Sequence, residues 1–314
     1  MIHMRLNSFS PCIGMILLSS AMAAPPSTTA TDPIRVVVLD SGHDPERPSD
    51  RARAGAAGTC GQPEVKYNDD VTEAIFARFN ADRAYKAILT RRAGQEVDIS
   101  HLSPSRHAAH LSPTALARLE DSRTLIGRAA IANSEMCDLF ISIHHDSTLA
   151  EFQEGHPNCN LDPITQRKGN GIRLKAAFKK KYKLGYNIIV YEDDTANPRR
   201  IRESKRLATL IAIRFQKNLQ RVPSNYHGRD GDCLNADGTP DCRDVDPQLG
   251  IIHKNVAVLR ETRCPAVLIE VGNIADGGKG GDEQMIRDAT FRKKLAVAVK
   301  QAVDDYWRTA TEAR

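Results

Sequence analysis

Apolar residues in this chain fall into two patterns. Some form short β-branched runs, and others recur about once per helical turn across longer stretches. The run Val36–Leu39 inside "IRVVVLDSGH" predicts a buried strand, and residues 68–84 predict a helix with Val71, Ile75 and Phe79 on one face. "YKAILTRR" predicts a second strand. A polar insert over about 94–121 then precedes a helix running through Ile131. "LFISIHH" predicts the next strand, and residues 147–186 are less regular. "YNIIVYED" reads as a strand, Glu203–Leu219 as a long amphipathic helix, and 223–248 as a loop rich in Gly, Asp and Cys. "NVAVLRE" and "PAVLIEVGN" read as two further strands, with a closing helix over Phe291–Trp307.

Strands that are apolar throughout and alternate with helices imply an α/β fold. We expect a mostly parallel, twisted sheet with helices on both faces. No repeat and no second domain is evident. The expected layout is one catalytic domain over 34–308, with insertions at about 94–121, 147–186 and 223–248 and a tail at 309–314.

The opening residues change the picture of where such a domain works. Arg5, the apolar run Ile13–Leu18 and the small-x-small Ala21-Met22-Ala23 read as a signal peptide over 1–23, followed by a linker over 24–33. The apolar run is too short for a lasting membrane anchor, so the mature chain is expected to be secreted, into the periplasm. Export leaves Cys60, Cys137, Cys159, Cys233, Cys242 and Cys264, an even number that suits disulfides. Cys233 and Cys242 bracket one loop. Cys137 and Cys264 each precede a predicted strand and pair if those strands are neighbours. The net charge of +5 is spread among acidic residues and gives little support to nucleic-acid binding.

Ligands of open α/β sheets bind beyond the carboxyl ends of the strands. Three predicted strand ends here carry suitable side chains: His43, the pair His144-His145, and Glu270. Glu64 lies between the first strand and first helix. Taken singly, a strand-end histidine is more often structural, and Glu64 alone reads as a surface residue. Together, two imidazoles and a carboxylate with an open position form a recurrent catalytic zinc set. A further carboxylate can manage the proton of a zinc-activated water.

These residues resemble the zinc-dependent N-acetylmuramoyl-L-alanine amidases, which cut bacterial peptidoglycan. The resemblance runs through Ser41-Gly42-His43, Glu64 with Asn68, Leu89-Thr90-Arg91, Arg128 and Ala132-Asn133. It is most specific at residues 138–144 and in "VLRETRCPAVLIEVGN". It implies one zinc per chain held by His43, Glu64 and His144, with Glu270 as the catalytic carboxylate. His145 falls where the family has a small residue. Alternation along a strand also sends adjacent side chains to opposite faces, which leaves His145 as supporting, substrate-facing or incidental.

Departures from the family pattern are "SGHDP" after the first strand, Val65 inside the Glu-Lys segment, and Gly272-Asn273 after Glu270, which alters a wall of the groove. Arg260, read as lying near the substrate end of a strand, is a candidate for binding a stem-peptide carboxylate. The basic "KAAFKKKYKLG" follows the second zinc histidine, where some family members carry a helix that an activator protein removes. It reads more simply as a solvated basic surface element than as such a helix, and a basic groove also suits acidic stem peptides. The expected activity is cleavage between N-acetylmuramic acid and L-alanine. The alternatives are a zinc peptidase acting within the stem, or a peptidoglycan-binding protein without turnover.

Overall fold

A computed structural model describes residues 33–45, 55–59, 61–98, 125–148, 153–160, 168–226, 242–277 and 280–312. The expected signal peptide, nearly all of the expected linker, residues 99–124 with His101, His107 and His110, and Cys60 and Cys233 lie outside them.

The strands are β1 (Arg35–Ser41), β2 (Tyr85–Leu89), β3 (Leu139–Asp146), β4 (Gln153–Asn160), β5 (Lys168–Leu174), β6 (Asn187–Val190), β7 (Arg243–Asp246), β8 (Ile251–His253) and β9 (Ala266–Asn273). The helices are α1 (Glu64–Asn80), α2 (Leu125–Ser134), α3 (Ala176–Lys181), α4 (Pro198–Leu219), α5 (Ala257–Glu261), α6 (Asp282–Arg287) and α7 (Ala289–Glu312). Seven strands form one sheet in the order β2-β1-β3-β9-β6-β8-β7, and β4 and β5 form a separate antiparallel pair. The central ladder β2-β1-β3-β9 is parallel throughout, so the carboxyl ends of β1, β3 and β9 share one edge.

Period-two alternation divides these strands between two cores. Val37, Leu39, Ile141, Ile143, Val267 and Ile269 face α1, α4 and α7. Val38, Phe140 and Leu268 face the thinner layer that includes α2 and α5. Each such fully buried side chain contributes about 1.5–3 kcal/mol through lost apolar hydration. The disulfide Cys137–Cys264 ties the segments entering β3 and β9, as expected if those strands are neighbours. Cys242 is also disulfide-bonded.

Several elements differ from the sequence reading. Helix α1 starts at Glu64, one turn earlier than expected, with Pro63 at its N-cap position and Glu64 in the first turn, where a carboxylate favours the helix dipole. "NVAVLRE" holds helix α5, not a strand. Its last turn is held by Arg200, whose Nη1 donates to the carbonyls of Leu259 and Thr262 at 2.7 and 2.6 Å. Helix α4 begins five residues early, at Pro198, where Asn197 Oδ1 accepts from the Arg200 backbone N–H at 3.1 Å. The closing helix runs to Glu312, beyond the expected tail boundary. The polar "RDVD" forms β7, an antiparallel partner of β8. Among the described residues no helix is long and apolar enough to cross a membrane.

Candidate active site

The three proposed metal ligands meet at the shared carboxyl edge. His43 lies just past β1, His144 is on β3, and Glu64 opens α1. One donor atom from each lies within 4.8 Å of the others. Glu64 Oε2 is 3.0 Å from His43 Nε2, and Glu64 Oε1 is 3.1 Å from His144 Nδ1. Tetrahedral zinc bonds of about 2.0–2.1 Å place donors about 3.3 Å apart, near the two Glu64–imidazole distances and inside the 4.8 Å span of the three donors. The donor set is also the right chemistry, two imidazoles and one carboxylate.

Glycines make room for the cluster. A Cβ on Gly42 would come within 2.1 Å of His144 Nε2. One on Gly55, whose φ is +78°, would come within 2.6 Å of both Glu64 Oε2 and His43 Cδ2. His43 itself has φ +60°, a left-handed conformation that holds only when its surroundings enforce it.

Two buried arginines do so. Arg91 Nε donates to the carbonyls of Ser41 and His43 at 3.1 and 2.9 Å, and its Nη2 to that of Gly42 at 3.2 Å. Arg128 donates to the Ser41 and His43 carbonyls from the other face. Each guanidinium is neutralised: Arg91 by Asp69 at 2.7 Å, and Arg128 by Asp40 at 2.6 Å and Asp44 at 2.9 Å. The Arg and Asp residues are conspicuous in sequence, but their convergence on three consecutive carbonyls depends on the fold.

Glu64 has a second set of holders. Asn68, one helical turn on, donates from Nδ2 to Glu64 Oε1 at 3.4 Å and to the Gly42 carbonyl at 3.0 Å. The backbone N–H of His145 donates to the same carboxylate oxygen at 3.1 Å. The His145 side chain is buried on the α1 side, with Nδ1 2.7 Å from Asn68 Oδ1. Since Asn68 Nδ2 donates, its Oδ1 accepts, and His145 Nδ1 carries the proton.

The electrostatics favour ligand forms. Burial raises the Glu64 carboxyl, but the charge of His43 and the bond to His144 more than offset this and hold it well below the usual range. Burial also lowers His144, which keeps a neutral imidazole ready for a metal. His145 is pushed down to about 3 by burial and is neutral at ordinary pH.

Glu270 is half-buried on β9, with His144 as its Cα partner on β3 and Asn187 on β6. Neighbouring strands lie about 4.8 Å apart, so Glu270 leaves the sheet on the strand next to His144 and at the same level. The register slips immediately afterwards, with Asp146 opposite Asn273, a bulge of the kind found beside active sites.

Of the three candidate substrate contacts, Arg260 and Asn273 are not brought to the cluster. Arg260 lies on α5, at the opposite edge of the sheet, and bonds Glu261 and Asn255. Asn273 is buried. Its N–H donates to Asp282 at 2.9 Å and its Oδ1 accepts from Ala275 N–H at 3.0 Å, so it shapes the turn after β9. His145 is buried against α1, with its ring on Asn68.

A family model described as N-acetylmuramoyl-L-alanine amidase matches residues 37–305. Among solved structures, the N-acetylmuramoyl-L-alanine amidase of Clostridium difficile 630 superposes with TM-score 0.51 at 18% identity, covering 87% of this chain and 97% of that one. The N-acetylmuramyl-L-alanine amidase of Mycobacterium smegmatis gives TM-score 0.54 at 17% identity, covering 88% and 97%. The CwlD amidase of Clostridioides difficile, solved in complex with the GerS lipoprotein, gives 0.51 at 16%, covering 88% and 99%. No curated protein sequence matches. These structures share the fold, and the family match spans the sheet, the ligand cluster and Glu270 together: the chain belongs to the N-acetylmuramoyl-L-alanine amidase family.

Proposed function

We propose that this chain is an exported zinc hydrolase that cleaves the amide between the lactyl group of N-acetylmuramic acid and L-alanine in peptidoglycan. The observation that carries the reading is the meeting of His43, Glu64 and His144 at one sheet edge, with Glu270 on the adjacent strand. His43, Glu64 and His144 would hold the ion. Bound there, zinc would supply Lewis acidity towards the scissile carbonyl and acidify a water molecule. Glu270 takes the proton of the attacking water and delivers it to the departing alanine nitrogen, so the amine leaves neutral. Arg91 and Arg128 keep His43 aimed, and Asn68 and His145 keep Glu64 aimed.

A protein partner such as the lipoprotein bound to the CwlD amidase belongs to the same proposal. A zinc peptidase acting within the stem peptide would use the same cluster. A peptidoglycan binder without turnover has no use for Glu270. The test is Glu270→Gln: metal analysis is expected to return about one zinc per chain, with amide hydrolysis reduced at least about a hundredfold. Unchanged hydrolysis would remove Glu270 from the mechanism.

A further inference from the structure

The segment Lys168–Lys183 contains seven basic residues and no acidic one: Lys168, Arg173, Lys175, Lys179, Lys180, Lys181 and Lys183. That exceeds the net charge of +5 for the whole chain, so the remainder is net acidic. The net positive excess is therefore carried by this stretch, while elsewhere basic and acidic residues are interspersed.

The topology puts this insert at the active site. The chain leaves the main sheet after Asp146, two residues past His144, and rejoins it at Asn187. His144 and Asn187 are the two lateral partners of Glu270. The intervening segment must begin and end beside the catalytic carboxylate.

Packing then fixes the basic helix there. Phe178, buried in α3, sits in a triad of rings with Tyr182 and Tyr226, at centroid distances of 4.7 to 5.2 Å. The triad packs on Ala275, and Lys179 pairs with Asp276, both in the turn that follows β9. The Thr59 backbone N–H reaches that turn as well, donating to the Ile274 carbonyl at 3.0 Å, five residues before Glu64. Lys179 anchors the helix and Lys181 Nζ lies 4.8 Å from the centroid of the Tyr182 ring, while Lys175, Lys180, Lys181 and Lys183 all remain exposed to solvent.

We infer that this basic arm is a docking surface for carboxylates of peptidoglycan stem peptides, holding the polymer at the mouth of the site while one amide is cut. The inference rests on the proposed substrate class. A positive patch beside a cleft raises the local concentration of an anionic polymer, and its effect is screened by salt. A small, single-stem substrate has little to gain from it, whereas a polymer presents many carboxylates at once.

The test uses the full mature chain with Lys175, Lys180, Lys181 and Lys183 all changed to Gln, and a control with all four changed to Arg. Lys179 is left alone because it anchors the helix. Co-sedimentation with purified peptidoglycan sacculi is measured across a salt series, beside turnover of a short soluble muramoyl-peptide. The Gln variant is expected to bind sacculi about tenfold more weakly with a flatter salt dependence, and the Arg variant to match the parent. Sacculi whose carboxylates have been amidated should bind the parent as weakly. Turnover of the soluble substrate should stay within about twofold.

Unchanged binding by the Gln variant, or undiminished binding to amidated sacculi, overturns the inference. So does binding lost only when phosphate-containing polymers are stripped from the sacculi. Sedimentation does not depend on turnover. If the parent cut neither substrate yet bound as expected, the amidase reading would fail and the docking surface would stand.

Discussion

His145 Nδ1 and Asn68 Oδ1 lie 2.7 Å apart in a buried contact, and through it the second histidine of "IHHD" acts on the carboxylate of Glu64. Asn68 passes the constraint on by donating to Glu64 Oε1 and to the Gly42 carbonyl. Partners that orient metal ligands in this way are typically worth about ten- to a hundredfold in affinity. His145→Leu should weaken zinc binding by that order in a chelator competition assay. His145→Asn keeps a donor near the position of Nδ1 and should recover most of it. Equal affinity in the Leu variant would make His145 a packing residue only.

Gly42 gives a steric version of the same test. Its missing Cβ is the space occupied by the His144 ring, at 2.1 Å from Nε2. Gly42→Ala should push His144 off its position and lower zinc affinity about ten- to a hundredfold. Far-ultraviolet circular dichroism of the variant should remain that of the parent. Normal zinc affinity in a folded Gly42→Ala protein would show that His144 is not the ligand.

Asp40 ties acid stability to the clamp on His43. It is fully buried and accepts from Arg128, Thr90 and Ser142 at 2.6 Å each. Burial raises its carboxyl, but the Arg128 charge and the two hydroxyls outweigh this and hold it below the ordinary 3.8. The unfolded chain therefore takes up this proton at higher pH than the folded one. The stabilisation is full above about pH 4 and is lost as pH falls through the folded value. Asp40→Asn leaves the Arg128 charge buried with less compensation, and should cost about 3–5 kcal/mol in urea unfolding near pH 7. The gap between parent and variant should narrow towards about pH 3. A gap that stays constant with pH would contradict the assignment.

The Cys137–Cys264 disulfide separates stability from chemistry. It joins residues 127 apart at the edge of the sheet opposite His144 and Glu270. Replacing both cysteines by Ser should lower stability by about 2–5 kcal/mol, through greater freedom of the unfolded chain. Zinc affinity of the folded variant should stay within about twofold of the parent, since the bridge touches none of the ligands or their holders. A large loss of zinc affinity would show that the two edges of the sheet are coupled.

Much of this fold is legible because β1, β3 and β9 are buried on both faces and read as unbroken apolar runs ending in polar residues. That pattern exposes His144 and Glu270 in the sequence and makes Cys137 and Cys264 natural partners. "NVAVLRE" misleads because so short an apolar run cannot separate period two from period 3.6, and its helical form depends on Arg200, far away in sequence. The strand "RDVD" is missed because it is a polar edge strand with one partner. The Asn68–His145 contact and the two arginines on the Ser41–His43 carbonyls arise from how α1, α2, β3 and the segment after β2 pack around the end of β1, which local pattern does not carry. Arg260 lies at the far edge for the same reason: its segment is helix α5, entering β9, and not a strand ending at the ligand cluster.

The most direct measurement is mass spectrometry of products released from purified peptidoglycan by the mature chain, with and without a zinc chelator. The account predicts free stem peptides beginning in L-alanine beside glycan stripped of peptide, with both lost on chelation and restored by zinc. Cuts inside the stem, or release that survives complete removal of the metal, would contradict it.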